Sequence, residues 1–440
     1  MNRRSAAALA ALAVALLTAT DASAAASGRR RARRPAAPPS LVWHVETVDG
    51  RVLDSKDSDV SINPASVVKV ATSWWALERL GPDHRFTTAF AARGTIDRAR
   101  GLLRGDLIVR GSGDPDFQAE NAFLVAQALN GLGVRRVSGS VVVDGTFWMG
   151  WENGSQGMNP DPAKRATLMA TRLRQALDVR RWTRGTRRAW GEFALRNTLP
   201  RMPVPSVEIL GGARFERAPS GAATVLFEHR SKTLAETLRR FNAFSNNDIE
   251  RVASSIGSPT ELSVLLADRL VTGGSPVRIE TASGLGENRL SPRQIVAMLR
   301  GFRAAATGAG LDIEQLLPVA GCDPGTVTGA FPRLASPPFA TSLVAKTGTL
   351  TSTDGGVTVL AGFLNTGEGE VVFCVAAPHA AGRIHLARRS EESFVVDLLQ
   401  RRGGAMPRSC APPMGAPDTG ASIVTATIAG QGGAVSISGR

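Results

Sequence analysis

Apolar and polar positions alternate in different rhythms along the chain. Leu41 to Ser55, LVWHVETVDGRVLDS, is two extended runs around Asp49-Gly50, a pair that favours the tight turn of a β-hairpin. A helix follows near Ser66 and runs to Leu80, where Gly81 and Pro82 stop it. From about Arg85 to Ala223 the pattern loosens. GDLIVRGSGDPDF and RVSGSVVVDGTFW predict short strands and turns, with one helical stretch around Ala166 to Leu177. Helical spacing returns at Leu234, Leu238 and Phe241, which share one face. Ser291-Pro292 opens another helix, with Ile295, Met298, Leu299 and Phe302 as its buried stripe. Towards the end, SLVAKTGTL, GGVTVLAGFLN and GEVVFCVAAP read as three strands joined by short turns, and RSEESFVVDLLQRR as a closing helix.

A hairpin, then helices, then antiparallel strands and a last helix predict an α+β (α/β) fold. One antiparallel sheet, flanked by helices, is built from both ends of the chain, with a middle segment inserted. The expected main domain comprises residues 41–85 and 224–405, and the inserted domain residues 86–223. Residues 406–440, rich in Gly, Ala, Ser and Pro, are expected to form a flexible tail.

With 440 residues, 43% of them hydrophobic and 20% charged, the chain can bury a large core. Arg3 and Arg4 precede the apolar run Ala6 to Leu17, and the small residues Ala22 and Ala24 follow, so residues 1–24 read as a secretory signal peptide. The run is short for a membrane span, and the expected product is soluble in the periplasm or another extracytoplasmic space. Residues 25–40 form a basic, proline-rich linker carrying Arg29, Arg30, Arg31, Arg33 and Arg34. The formal net charge of +14 suits electrostatic contact with anionic envelope polymers, above all through Arg29 to Arg34. Export and an aromatic content of 5% argue against nucleic acid as a partner. Cys322, Cys374 and Cys410 allow one disulfide and leave one thiol, and spacing alone does not choose the pair. The five histidines show no metal-binding spacing, and no metal or cofactor is expected.

Nearly all the positive charge is arginine, and only five residues are lysine. Two of them lie in short polar motifs. In Ser66-x-x-Lys69, the helical spacing puts the amine within reach of the serine hydroxyl. A serine is a weak nucleophile until a base takes its proton. Lysine can serve only if burial or a second cation lowers its pKa, whereas arginine stays charged. Ser245-Asn246-Asn247 follows the Phe241 helix. Ser245 could relay a proton to a leaving amine, and the Asn247 amide could orient a substrate carbonyl. Lys346-Thr347-Gly348-Thr349 lies on an apolar strand, where a lysine and hydroxyls make a carboxylate site and glycine allows close backbone approach. Lys232-Thr233 lacks the glycine, sits at a helix start and is a decoy. SxxK, SxN and KTG in this order are the signature shared by penicillin-binding proteins and related β-lactamases.

The chain resembles the peptidase S13 family, low-molecular-mass class C penicillin-binding proteins of the D-alanyl-D-alanine carboxypeptidase/endopeptidase type. The resemblance covers about Val42 to Leu399. It includes NPASVVKVATSWWALERLGPDHRFTT, GDLIVRGSGDPDF, TASGLGENRLSPRQIVAMLRGF, LPVAGCDPGTVTGAF and AKTGTLTSTDGGVTVLAGF. It implies a penicillin-binding-protein/β-lactamase-like transpeptidase fold with a domain inserted between SxxK and SxN. It also implies peptidoglycan stem peptides as substrate and β-lactam antibiotics as covalent inhibitors. By carry-over Ser66 is acylated and Lys69 is its base, while Ser245 and Asn247 line the second wall. Lys346 and Thr347 hold the terminal carboxylate, with Gly348 between Thr347 and Thr349, and the backbone N–H groups of Ser66 and Thr349 form the oxyanion hole. SNNDIERV departs from the family, placing Asp248 and Arg251 beside the site, and RRWTRGTRRAWGEF looks unlike it.

Two rival readings share the fold. A secreted serine β-lactamase is disfavoured because the chain has no tyrosine for a Tyr-x-Asn motif and only a near miss, EFALRN from Glu192, for a Glu-x-x-Leu-Asn segment. A non-catalytic wall-binding protein is disfavoured because all the polar side chains the chemistry needs are present.

Overall fold

The computed structural model describes residues 38–152, 161–197, 203–219, 221–270, 275–425 and 436–438. The expected signal peptide and the Arg29 to Arg34 cluster lie outside the described residues. The predicted hairpin forms as β1 (Val42–Thr47) and β2 (Val52–Lys56), with Gly50 at φ 95° in its turn. A 3-10 turn, Ala65–Val67, runs directly into α1 (Val68–Leu80).

The chain next lays down a second sheet and its helices. They are β3 (Thr87–Asp97), β4 (Leu102–Arg110), α2 (Ala119–Gly131), β5 (Arg136–Val137), β6 (Ser140–Val143), α3 (Pro162–Leu177) and α4 (Arg184–Arg196). Strands β7 (Glu208–Ile209), β8 (Gly212–Phe215) and β9 (Thr224–Arg230) follow. Helices α5 (Leu234–Phe244), α6 (Ile249–Ser254), α7 (Pro259–Arg269), α8 (Pro292–Gly308) and α9 (Thr326–Ala330) lead back to the first sheet. That sheet is completed by β10 (Leu343–Leu350), β11 (Val357–Thr366) and β12 (Gly369–Pro378), with α10 (Ile384–Arg401) after it. Strands β13 (Ser422–Thr425) and β14 (Ser436–Ser438) come last.

The first sheet has the order β10-β11-β12-β1-β2 and is antiparallel throughout, so it draws on both ends of the chain. His44 stands opposite Cys374, and Val45 opposite Phe373. Its central strands are apolar on both faces because both faces are covered. Val372, Cys374 and Ala376 pack with Trp74, Trp75, Leu299 and Phe302 of α1 and α8. The alternate residues Val371, Phe373 and Val375 pack with Val395 and Leu399 of α10. Each such aromatic or aliphatic side chain contributes roughly 1.5–3 kcal/mol on leaving water. Capping boxes start α5 (Thr233 with Glu236) and α8 (Ser291 with Gln294, Pro292 at its first turn).

The second sheet has the order β14-β13-β9-β3-β4-β5-β7, with β6 paired to β4 and β8 paired to β6. Two expectations change here. Thr224–Arg230 was expected to open the return to the main domain, but as β9 it pairs antiparallel with β3 and stays in the second sheet. Nor is the stretch after Met406 loose as far as Thr425. Cys410 is disulfide-bonded to Cys322, Ala421 and Ile423 are buried, and β13 pairs with β9. Composition signalled a tail, whereas a few apolar residues and a crosslink suffice to dock it. The remaining thiol, Cys374, is buried in β12. No helix among the described residues is long and apolar enough to cross a membrane.

Candidate active site

Ser66 lies in the 3-10 turn just before α1, not inside the α-helix. Ala65 holds a left-handed φ of 48°, and the Asn63 side chain secures the turn by accepting from Ala65 N (3.0 Å) and donating to Gly286 O (2.9 Å). Ser66 is half-buried, whereas Lys69 is fully buried. Lys69 Nζ lies 2.9 Å from Ser66 Oγ, 2.8 Å from Asn247 Oδ1 and 2.6 Å from Ser283 O.

These three partners differ in kind. The two carbonyl oxygens can only accept, so they take two N–H groups of Lys69, while the Ser66 hydroxyl can either donate or accept. A neutral amine, with two protons and one lone pair, therefore fits with the lone pair aimed at Ser66. Burial pulls the Lys69 pKa from 10.5 to about 7, opposed by the charge of Glu250, so the neutral form is accessible near neutrality. Glu250 also accepts from Ser283 N (2.8 Å), which fixes the loop whose carbonyl holds Lys69.

The second wall begins where α5 ends. Ser245 takes a left-handed conformation (φ 53°, ψ 40°) that turns the chain and carries its hydroxyl to Lys346 Nζ, 2.9 Å away. Lys346, on β10, is fully buried and also donates to Thr347 O (2.8 Å). Burial and then the nearby Lys69 hold its pKa well below the lysine range. Thr347 Oγ1 meets Thr326 Oγ1 at 2.7 Å, and Thr349 Oγ1 accepts from Arg388 Nη2 at 3.0 Å. A Cβ at Gly348 would stand 2.6 Å from Pro64 O and 3.1 Å from Ala65 Cβ. The close approach that glycine permits is thus by the protein's own Ser66 turn. Gly284 does the same from the other side, where a Cβ would lie 1.9 Å from Ala65 O.

All eight residues singled out from the sequence come together: Ser66, Lys69, Ser245, Asn247, Lys346, Thr347, Gly348 and Thr349. Sequence reasoning missed Asn63, Glu250, Ser283, Thr326 and Arg388. TASGLGENRL carried a signal for Ser283 only as a stretch of resemblance, because a backbone carbonyl leaves no mark in residue type. Asp248 and Arg251 turn away towards the second sheet's side. They pair at 2.8 Å, Asp248 accepts from Glu152 N (3.1 Å), and Arg251 lies over the Trp148 ring (3.0 Å to its centroid). Lys232 is buried beside Asp116, and Thr233 is a helix cap. Glu192 pairs with Arg188 on the exposed side of α4.

The chain is 27% identical to a D-alanyl-D-alanine carboxypeptidase of Actinomadura sp. (strain R39), over 82% of this chain and 81% of that one. A predatory endopeptidase from Bdellovibrio bacteriovorus, solved with an immunity protein, has a similar fold. Its TM-score is 0.73 at 20% identity, over 87% of this chain and 98% of that one. A second predatory endopeptidase of that organism, solved acylated by penicillin G, aligns with a TM-score of 0.68 at 20% identity, over 86% of this chain and 97% of that one. Residues 39–170 and 206–383 match the D-Ala-D-Ala carboxypeptidase 3 (S13) family, and the chain belongs to that family.

Proposed function

We propose that the protein is a serine-type D-Ala-D-Ala carboxypeptidase/endopeptidase that acts on peptidoglycan stem peptides through a Ser66 acyl-enzyme and is acylated by β-lactams. The observation that carries this reading is the buried Lys69, with its amine 2.9 Å from Ser66 Oγ and its pKa brought to about 7. Membership of a carboxypeptidase family and the likeness to a penicillin-acylated endopeptidase support it.

In the first half-reaction Ser66 Oγ attacks the carbonyl carbon of the penultimate D-Ala while its proton passes to Lys69 Nζ. The backbone N–H groups of Ser66 and Thr349 stabilise the oxyanion. The C–N bond then breaks. The leaving amine takes a proton delivered through Ser245, whose hydroxyl is held by Lys346. Water hydrolyses the ester, releasing the shortened peptide and restoring Ser66. Asn247, held by Lys69, orients the substrate amide. Removal of residues 1–24 would deliver the enzyme to the compartment that holds this substrate, and Arg29 to Arg34 would keep it near anionic envelope polymers. Release of D-Ala from an N-acylated peptide ending in D-Ala-D-Ala tests the reading. The native protein should release it and Ser66→Ala should not; equal release by both would overturn the assignment.

A further inference from the structure

One end of the second sheet gathers arginine. Arg98, Arg100 and Arg104 stand around the β3–β4 turn, and β5 beside it carries Arg135 and Arg136, whose backbone N–H groups both donate to Gly101 O (2.9 and 3.0 Å). Register sets Glu208 of β7 opposite Arg136, and Glu208 pairs with Arg180 at 2.7 Å. Arg180 and Arg181 then lead into α4, whose outer face presents Arg184, Arg187 and Arg188. All ten of these side chains are exposed. Contacts, not sequence alone, join them into a ridge from the hairpin tip to α4. It runs along the β5–β7 edge, away from the β9 side where the chain leads into α5 and Ser245.

Counter-charge is scarce along it. Asp97 serves both Arg100 (3.6 Å) and Arg104 (3.2 Å), Asp178 serves both Arg180 (3.0 Å) and Arg181 (3.2 Å), and Glu192 pairs with Arg188 (3.0 Å). Among the described residues Arg135, Arg136, Arg184 and Arg187 have no carboxylate within ion-pair distance. Folding does not call for this charge. Arg184 opens α4 and Arg187 follows it, with no acid in the first turn, and cations there oppose the helix dipole. The segment is nevertheless held firmly, with Trp182 against Phe123 (5.1 Å between rings) and Trp190 against Phe193 (5.5 Å). Because these rings pack inward, they are not offered to stack on bases or to anchor in a bilayer interface, and Leu195 and Leu210 are single exposed leucines beside the ridge. Resting on the peptidoglycan reading for its compartment alone, we propose that the ridge is a docking surface for a linear anionic envelope polymer with phosphodiesters repeated along its chain. Guanidinium forks match such groups two N–H at a time, and a row of them favours a long polyanion over a single ion. The surface keeps the enzyme on the wall while Ser66, at the other domain, works on stem peptides.

The test measures binding of the mature chain to synthetic poly(glycerol phosphate) between about 0.05 and 0.5 M salt, beside phosphatidylglycerol vesicles and single-stranded DNA of equal phosphate content. One variant combines Arg184→Gln, Arg187→Gln and Arg188→Gln, and a second combines Arg98→Gln, Arg135→Gln and Arg136→Gln. A charge-matched control combines Arg79→Gln, Arg333→Gln and Arg389→Gln, exposed arginines of the main domain. Each is also made with glutamine at the linker arginines Arg29 to Arg34, so that linker charge does not stand in for the ridge. Each lost contact to a flexible polyanion removes about 0.7 from the logarithmic salt slope, so either ridge triple should flatten it by about two and weaken binding about a hundredfold at ~0.1 M salt. The control should bind nearly as its parent does, and all variants should keep the native melting temperature. Ridge triples that bind the polymer like their parent, or a control that loses as much, would overturn the proposal. So would tighter binding to the vesicles or the DNA than to the polymer. D-Ala release from a soluble peptide should be equal in every variant; its absence from the native protein would overturn the Ser66 reading and leave the docking surface standing.

Discussion

Arginine in place of Lys69 separates positive charge from basicity. Bringing the Lys69 pKa from 10.5 to about 7 corresponds to about 5 kcal/mol of disfavour for its ammonium form, imposed by burial and only partly offset by Glu250. If the neutral amine takes the Ser66 proton, acylation should follow the neutral fraction. The rate should be near its plateau at about pH 8, half of it near pH 7, and roughly a hundredfold down at about pH 5. Lys69→Arg stays charged at all these values and should acylate at no measurable rate. Glu250→Gln keeps an acceptor for Ser283 N but removes the anion that raises the Lys69 pKa, so the midpoint should move to lower pH. The assay is stopped-flow acylation by a chromogenic cephalosporin between about pH 5 and 8.5, with melting curves to verify each fold. A flat profile, or a midpoint that rises in Glu250→Gln, would refute Lys69 as the base.

Two further outcomes follow from packing. Gly348→Ala would place a methyl 2.6 Å from a backbone carbonyl of the Ser66 turn. A displacement on the order of 1 Å should cost about a hundredfold in acylation, beside about 1–3 kcal/mol of stability from overpacking, and native-like acylation would contradict the close approach. Cys410→Ser opens a crosslink between residues 88 apart in sequence and should lower unfolding stability by about 4–5 kcal/mol from chain entropy; an unchanged denaturant midpoint would show that the bond does not hold the segment after Met406 in place.

Strong local signals were legible in the sequence. The Asp49-Gly50 turn, the stripe of α8 and the apolar runs of β10 to β12 each depend on residues close in sequence, as does the Ser66–Lys69 spacing. What sequence concealed was partnership at long range. TVLFEHR reads as a strand but does not say which sheet it joins, and β13 joins it only through two buried side chains and a register. Helix α2 was missed because AENAFLVAQALNG is buried along most of its length and shows no clear stripe, and α4 because RGTRRAWGEFALR is rich in charge and buries only Phe193 and Ala194. In the site, the motif side chains were readable because each carries its chemistry in its residue type. The Ser283 carbonyl, the Gly284 contact and the reach of Arg388 to Thr349 depend on backbone placement and on an element 39 positions away.

The central claim is a covalent bond at Ser66, and intact mass after mixing the mature protein with benzylpenicillin tests it most directly. The expected result is a one-to-one adduct that persists, mapped by proteolysis to the peptide containing Ser66, and absent in Ser66→Ala. No adduct, an adduct on another residue, or one that disappears rapidly as the drug is consumed would contradict a penicillin-binding peptidase.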